Sequence, residues 1–369
     1  MITDSLTVPT LLVDEERCRA NVGRMVAKAE QHGLRLRPHF KTHQSLTVGR
    51  WLREEGVSHA TVSSLRMAKY FAPEWPDITV AFPFNIHELE TAKSLADTNK
   101  LGLTVENEVA LRVIEKKIAD PVRVWVKVDT GYHRTGVPAS DIARIKSLLQ
   151  RVAEHPHHIP AGVLIHAGHT YDVHGVSAVA QIHAETMAAV ATLREALLPD
   201  FPDLDFSIGD TPSCSLMDKF EGATEIRPGN FVFYDVMQHF IGSNALEDIA
   251  VCMASPVVAK HPERNHVVVY GGGVHFSKDA TQDLLGNKVL GLPVLLTEDG
   301  WGAPIPEGRV VKLSQEHGII YLPDAAFEQV KIGGWLGVLP VHSCLTADLM
   351  GSYLSLDGKL VDHLMAHRR

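Results

Sequence analysis

Eight short apolar, β-branched runs alternate with helix-length stretches through the first two-thirds of this chain. That rhythm constrains its fold more than any other feature. The runs fall at 34–41, 59–62, 78–82, 101–105, 122–128, 161–166, 204–208 and 224–227. Most intervals between them can hold a helix, most clearly 108–118 and 176–197. Ahead of them, 14–33 reads as a helix: Asp14 stands at the cap, Val22, Met25, Val26 and Ala29 recur at helical spacing, and Gly33 stops it. Strands that alternate with helices pair in parallel, and eight of them most simply close into a (β/α)8 barrel.

Between 242 and 254 the character changes. Strand-like pieces at 250–259, 265–270, 288–297, 308–313, 319–321 and 335–339 are separated by Gly and Pro turns, with little helix. This predicts a second, mainly β domain, and 369 residues suffice for both. A formal net charge of −9 leaves no basic footprint, so nucleic acid is not an expected partner. No apolar stretch approaches the roughly 18 residues that span a bilayer, so no membrane partner is expected either. The opening ten residues lack the charged and apolar regions of a signal peptide. Cys18, Cys214, Cys252 and Cys344 are scattered without a framework spacing, as in a reducing compartment. The expectation is a cytoplasmic protein.

In a barrel of this kind chemistry sits at the C-terminal ends of the strands, and the unusual residues collect there. Lys41 ends the first run, within Arg37-Pro38-His39-Phe40-Lys41-Thr42-His43. Asp129-Thr130-Gly131-Tyr132-His133-Arg134 follows the fifth and His166-Ala167-Gly168-His169-Thr170-Tyr171 the sixth. Gly209-Asp210-Thr211-Pro212-Ser213 follows the seventh and Arg227-Pro228-Gly229-Asn230 the eighth. A lysine so placed is how a protein holds pyridoxal phosphate as a Schiff base. Glycines and hydroxyls in the last two loops suit a phosphate; alternatively Gly209, Pro212, Pro228 and Gly229 only make tight turns. Near the other end, His342-Ser343-Cys344 sets an imidazole and a thiol two residues apart. If extended, such a pair shares one face and can grip a borderline-soft cation such as zinc. A carbonyl cofactor plus a Lewis acid suggests elimination or carbon–carbon cleavage on an amino acid.

These segments, in this order and over nearly the whole chain, resemble the fold-type III pyridoxal enzymes. Within them the likeness is to the D-serine dehydratase and D-threonine aldolase group. The resemblance is carried by Arg37-Pro38-His39-x-Lys41-Thr42-His43, Asp129-Thr130-Gly131-x-x-Arg134-x-Gly136, Gly168-His169-x-Tyr171, Arg227-Pro228-Gly229-Asn230 and His342-x-Cys344. It implies an alanine-racemase-like (β/α)8 barrel over 12–244, and a β domain from 1–11 plus 245–369 that carries the metal site. It further implies a homodimer with active sites near the subunit interface.

Carried over residue by residue, Lys41 is the Schiff-base lysine, a nucleophile and later a base. Arg134 faces the cofactor's phenolic oxygen, and Tyr171 lies beside the pyridine nitrogen. A neutral phenol there leaves the ring a weaker electron sink, which asks for help from a metal. His169 joins the cofactor site, and the phosphate lies on Thr211, Gly229 and Asn230, with Ser213 a further candidate. Lys127 stands where racemase relatives sometimes carry a carbamylated lysine; the plainer reading is an inward lysine paired with Asp129.

His342 and Cys344 set the subclass. Catalytic zinc usually takes three protein ligands and an open position; with two, water and substrate oxygens complete the shell. Asp348 is a third ligand or a helix cap, and the cap is favoured. His32, His59, His155, His157 and His158 read as surface or loop histidines. The aldolase branch carries an aspartate, a harder ligand, at the second position, whereas a thiolate selects zinc and points to the dehydratase branch. The implied reaction is loss of water from a D-3-hydroxy amino acid, with D-serine the first candidate. Lys41 takes the Cα proton and zinc activates the β-hydroxyl, yielding a 2-oxo acid and ammonia.

Rival readings stay open: a D-threonine aldolase, or a D-threo-3-hydroxyaspartate dehydratase. A third is a metal-dependent barrel hydrolase without pyridoxal, built on His39, His43, His166 and His169, and a fourth a non-catalytic pyridoxal-binding protein. Gly271-Gly272-Gly273 with Ser277-Lys278-Asp279, and Glu316-His317-Gly318, also look like family features. A turn reading suffices for them.

Overall fold

The computed structural model describes residue 4, residues 6–283 and residues 285–365. Of the opening segment expected to join the β domain, 1–3 and 5 lie outside those described. Two compact units result, one of Gly23–Lys41 and Leu52–Gly229, the other of Met1–Val22, Thr42–Trp51 and Asn230–Arg369.

The first unit holds the eight expected strands: Arg35–Leu36, Ala60–Val62, Asp77–Pro83, Lys100–Val105, Arg123–Asp129, Ile159–Ile165, Asp205–Ile208 and Glu225–Ile226. From Ala60–Val62 onward each pairs in parallel with the next, and the last, Glu225–Ile226, pairs in parallel with the first, Arg35–Leu36. His39 bridges to Thr61, and Phe40 N–H donates to Thr61 O at 2.8 Å, so the sheet curls back onto its own first strand. The strands read as continuous apolar runs because both faces are covered: Val124, Trp125, Val126 and Val128 are all buried. The covering helices follow from capping and stripe. Helix Ile142–Glu154 starts where Asp141 accepts the N–H of Arg144, and it buries Ile145, Leu148, Leu149 and Val152. Asn107 and Ser64 cap Glu108–Lys117 and Leu65–Phe71 in the same way.

One polar network crosses this unit's interior. Fully buried Arg37 donates to Glu225 at 2.7 Å and Asp77 at 2.6 Å, while Arg123 reaches Asp77 from the next strands. Arg37 therefore braces strands, although it lies in the lysine-bearing motif.

The second unit is built on a ten-stranded sheet. Its long strand Val251–His261 pairs antiparallel with Thr10–Val13 and Trp335–Pro340 along its first half. After a bulge at Val257/Ala259 it pairs with His266–Tyr270. The remaining strands include Gly291–Thr297, Arg309–Leu313 and His317–Tyr321, as expected, and Gly300–Pro304, Tyr353–Ser355 and Leu360–Val361, which the sequence pattern missed. Gly-Trp-Gly-Ala-Pro reads as turn chemistry, and the last two strands are two or three residues long. All four cysteines are free thiols. Among the described residues no helix is long and apolar enough to cross a membrane.

Candidate active site

In the barrel unit, Lys41 follows the first strand and its side chain is exposed; its backbone N–H donates to His39 Nδ1 at 3.3 Å. Around it the structure gathers cations. Lys127 is buried, and burial together with Arg227, Arg134 and Lys41 pulls its ammonium well below the usual lysine range, against the pull of Glu106. The expected Lys127–Asp129 pair is not formed. Asp129 instead accepts the N–H groups of Gly131, Tyr132 and His133 and folds that loop. The loop carries Arg134 outward, exposed, with its guanidinium 4.8 Å over the Tyr132 ring.

Tyr132 in turn stacks against His169, at 6.1 Å between ring centroids, and meets the edge of His166. Gly168 permits this: a Cβ there would lie 2.2 Å from the Tyr132 ring. His39 and His166 are both held well below the ordinary histidine range, by burial first and then by neighbouring cations, Lys41 and Lys127 among them. Both are neutral imidazoles at pH 7.

The loop after the seventh strand is tied down by Asp210, which accepts from Thr170 Oγ1 at 2.9 Å and from Ser213 N at 2.7 Å. Burial raises that carboxyl, with these donors opposing. The N–H of Thr211 donates to Tyr171 Oη at 3.0 Å. Thr211 Oγ1 and His169 Nδ1 are buried without a hydrogen-bond partner, a state that buried polar atoms rarely keep unless a ligand completes them. An exposed lysine, a group of cations and unpaired buried donors fit an anionic carbonyl cofactor such as pyridoxal phosphate. Gly229 is buried at the end of the eighth strand's loop.

The second unit holds the metal candidates. His342 is the N-cap residue of helix Ser343–Met350, and Cys344 lies in that helix's first turn. The expected extended His-x-Cys geometry is thus replaced by a helix start, because Ser343 N–H donates to buried Asp235 at 3.0 Å and begins the turn there. The two side chains still meet, for the His342 ring hydrogen-bonds Cys344. Thr42 Oγ1 lies 3.2 Å from Cys344 Sγ, and Asn230 Nδ2 lies 3.6 Å from it. Asn230 also donates to Asp235 at 2.6 Å, so its amide nitrogen is spent within this unit while Oδ1 stays unpaired. The other face of His342 is met by Asp279, Oδ2 to Nδ1 at 2.6 Å. Burial opposes charge on His342, but Asp279, Cys344 and Asp235 outweigh it and raise the imidazole to about 10.

Asp348 is neither third ligand nor cap: it sits in the last turn of its helix and accepts from Gln44 Nε2 at 2.8 Å. Among the described residues no group of three or more His, Cys, Asp or Glu could hold a metal, so neither the His39, His43, His166 and His169 set nor a third protein ligand beside the pair is assembled. An imidazole and a thiol hydrogen-bonded to one another, with a carboxylate behind the imidazole, offer a borderline-soft cation one nitrogen and one sulfur ligand. Of the histidines read as surface or loop groups, His158 lies in a loop but is buried, stacked on His155 at 3.9 Å.

A parallel eight-stranded barrel with a strand-end lysine among cations, in one chain with a mainly β unit, defines a fold-type III pyridoxal enzyme. The chain belongs to the alanine racemase family: residues 13–236 match its N-terminal domain, and 250–356 match a putative serine dehydratase domain. It is similar to the D-threo-3-hydroxyaspartate dehydratase of Delftia sp., 29% identical over 374 residues that cover 96% of each chain. The D-serine dehydratase of Dictyostelium discoideum is also 29% identical, covering 95% of this chain and 93% of that one. The solved Delftia structure superposes with a TM-score of 0.88 at 28% identity, covering 97% and 98%. A cysteine-to-alanine variant of such a dehydratase is known in a metal-free form, with a TM-score of 0.86. The chain is a pyridoxal-phosphate-dependent lyase.

Proposed function

We propose that this lyase is a zinc-dependent dehydratase of D-3-hydroxy amino acids, with D-serine as its substrate. The observation that carries the reading is the hydrogen-bonded His342–Cys344 pair: a nitrogen and, once deprotonated, a thiolate sulfur would select zinc over the harder metals that an aspartate would favour. Dehydratase relatives at 29% identity over nearly the full chain support it, as does the metal-free form of a relative's cysteine variant. Pyridoxal phosphate, held through Lys41, would supply the electron sink that acidifies the substrate Cα–H.

Lys41 then takes the Cα proton on one face, and exposure leaves it room to do so. Arg134 would hold the anionic edge of the cofactor, His169 and Tyr171 would line its ring, and Thr211, Gly229 and Asn230 would receive its phosphate, Asn230 through its backbone N–H because its side-chain amide nitrogen is spent on Asp235. Zinc on His342 and Cys344 would stabilise the departing β-hydroxyl as a Lewis acid. Loss of water leaves an enamine, which tautomerises to an imine; hydrolysis consumes one water and releases the 2-oxo acid and ammonia, pyruvate in the case of D-serine. A cytoplasmic homodimer completes the proposal, and light scattering of the purified protein tests its size.

The test is release of keto acid and ammonia from D-serine, D-threonine and D-threo-3-hydroxyaspartate, with a chelator and with zinc added back. Keto acid and ammonia lost on chelation and restored by zinc support the reading and rank the substrates. The hydroxyaspartate leading D-serine would place the chain beside the Delftia enzyme. Glycine plus an aldehyde would make it an aldolase and overturn the assignment of Cys344.

A further inference from the structure

We propose that Asp279 is the positioning residue of the His342–Cys344 site, the outer carboxylate that fixes His342 so that its Nε2 faces a zinc ion. This rests on the reading above that the pair holds zinc, and it gives a role to two motifs that the barrel chemistry leaves idle.

The first motif, Gly271-Gly272-Gly273, lets the chain press onto the second, around Glu316-His317-Gly318. Gly271 N–H donates to Glu316 O at 2.9 Å and Gly273 N–H to Ser314 O at 2.7 Å. A Cβ on Gly272 would lie 2.4 Å from Gln315 O, so only glycine admits this approach. The short helix Gly273–Phe276 is thereby seated on that turn, with Phe276 buried. Its last carbonyl, Phe276 O, accepts Thr346 Oγ1 at 3.2 Å, one turn into the helix that His342 caps. Ser277 then turns the chain at φ +69 and accepts the N–H of Asp279 at 3.2 Å. The segment is therefore tied to helix Ser343–Met350 twice, by Thr346 and by the 2.6 Å contact between Asp279 Oδ2 and His342 Nδ1.

A carboxylate on Nδ1 has a specific consequence. It holds the proton on Nδ1, fixes the ring plane and leaves Nε2 as the nitrogen able to ligate. It also makes that nitrogen a better donor, an arrangement whose loss typically costs 10–100-fold in metal affinity. With only two protein ligands to rely on, the site gains more from a fixed imidazole than a four-ligand site would.

The test measures zinc affinity of the pyridoxal-loaded enzyme by competition with a chromogenic chelator, for wild type, D279A, D279N and H342A. The cofactor absorption band and thermal unfolding are followed in each. D279A is expected to bind zinc toward 100-fold more weakly and D279N about tenfold more weakly, because the amide oxygen still accepts from Nδ1–H but carries no charge. Cofactor absorption should stay at the wild-type position, and 15N shifts of His342 should show Nδ1 protonated and Nε2 metal-bound only while the carboxylate is present. Zinc lost in H342A but held at wild-type affinity by D279N and D279A would overturn the role of Asp279 and leave the pair's reading intact. Zinc bound equally well by H342A and wild type would overturn that reading and this proposal with it. If D279A does not fold, D279N decides: unchanged affinity there rejects the assignment.

Discussion

Tyr171 Oη accepts the backbone N–H of Thr211 at 3.0 Å. The tyrosine thus reaches the loop expected to receive phosphate, although the family likeness sets it beside the cofactor's ring nitrogen. Its hydroxyl has a structural task as well as a chemical one, since Thr211 is buried. Y171F should leave that N–H unpaired, at a cost of about 1–3 kcal/mol if the loop does not shift. We expect pyridoxal phosphate to bind about tenfold more weakly or worse, read by titrating the absorption band into apo-protein. Affinity equal to wild type would show that the loop holds without Tyr171.

Lys41 offers a direct covalent test. Borohydride treatment of the yellow enzyme should fix the cofactor irreversibly, and mass spectrometry should place it on the peptide containing Lys41. K41A should lose the Schiff-base band and at least the 10²–10⁴-fold that a positioned proton-transfer group supplies. Label on another lysine would remove Lys41 from its assigned role.

The barrel was legible because most of its strands are largely buried on both faces and so form nearly continuous apolar runs between helices. Strand ends were less so. The run 34–41 contributes only Arg35–Leu36 to regular pairing, since the chain beyond it carries Arg37 inward to Glu225 and Asp77. Nothing in a sequence marks an arginine as buried, and the same holds for Lys127. In the β unit, Gly300–Pro304 was hidden by its own glycines and proline. The His342–Cys344 pair was visible from spacing, but its helical start depends on Asp235, more than a hundred residues earlier. Asp279 stands 63 residues from His342 with no periodic relation to it, so only the folded chain reveals their contact.

Acid stability should report the buried network. Arg123 and Arg37 outweigh burial and hold Asp77 down to about 2. Its unfolded value is about 3.9. The folded carboxyl therefore binds fewer protons than the unfolded one, and the stabilisation is complete above about pH 4 and lost as pH falls through about 2. Allowing for partial solvent screening, that amounts to about 1–2 kcal/mol. Urea unfolding of wild type and D77N should show a stability gap that narrows by most of this amount between about pH 5 and about pH 2. A constant gap would mean that Asp77 titrates normally.

Cys344 should decide the metal. Its sulfur stands 3.2 Å from Thr42 Oγ1 and 3.6 Å from Asn230 Nδ2, and both groups can donate equally well to a carboxylate. C344D therefore keeps its neighbours satisfied while exchanging a soft ligand for a hard one. We expect zinc to bind more weakly than in wild type, because the soft thiolate that suits it is replaced by a hard oxygen ligand. Manganese or magnesium should bind better relative to zinc than in wild type, as carboxylate ligands favour them. C344A, with no ligand at all, should lose zinc without that gain. Competition titrations with all three metals separate these outcomes. If C344D and C344A behave alike toward each metal, the side chain at 344 does not ligate, and activation of the β-hydroxyl must be sought elsewhere in the chain.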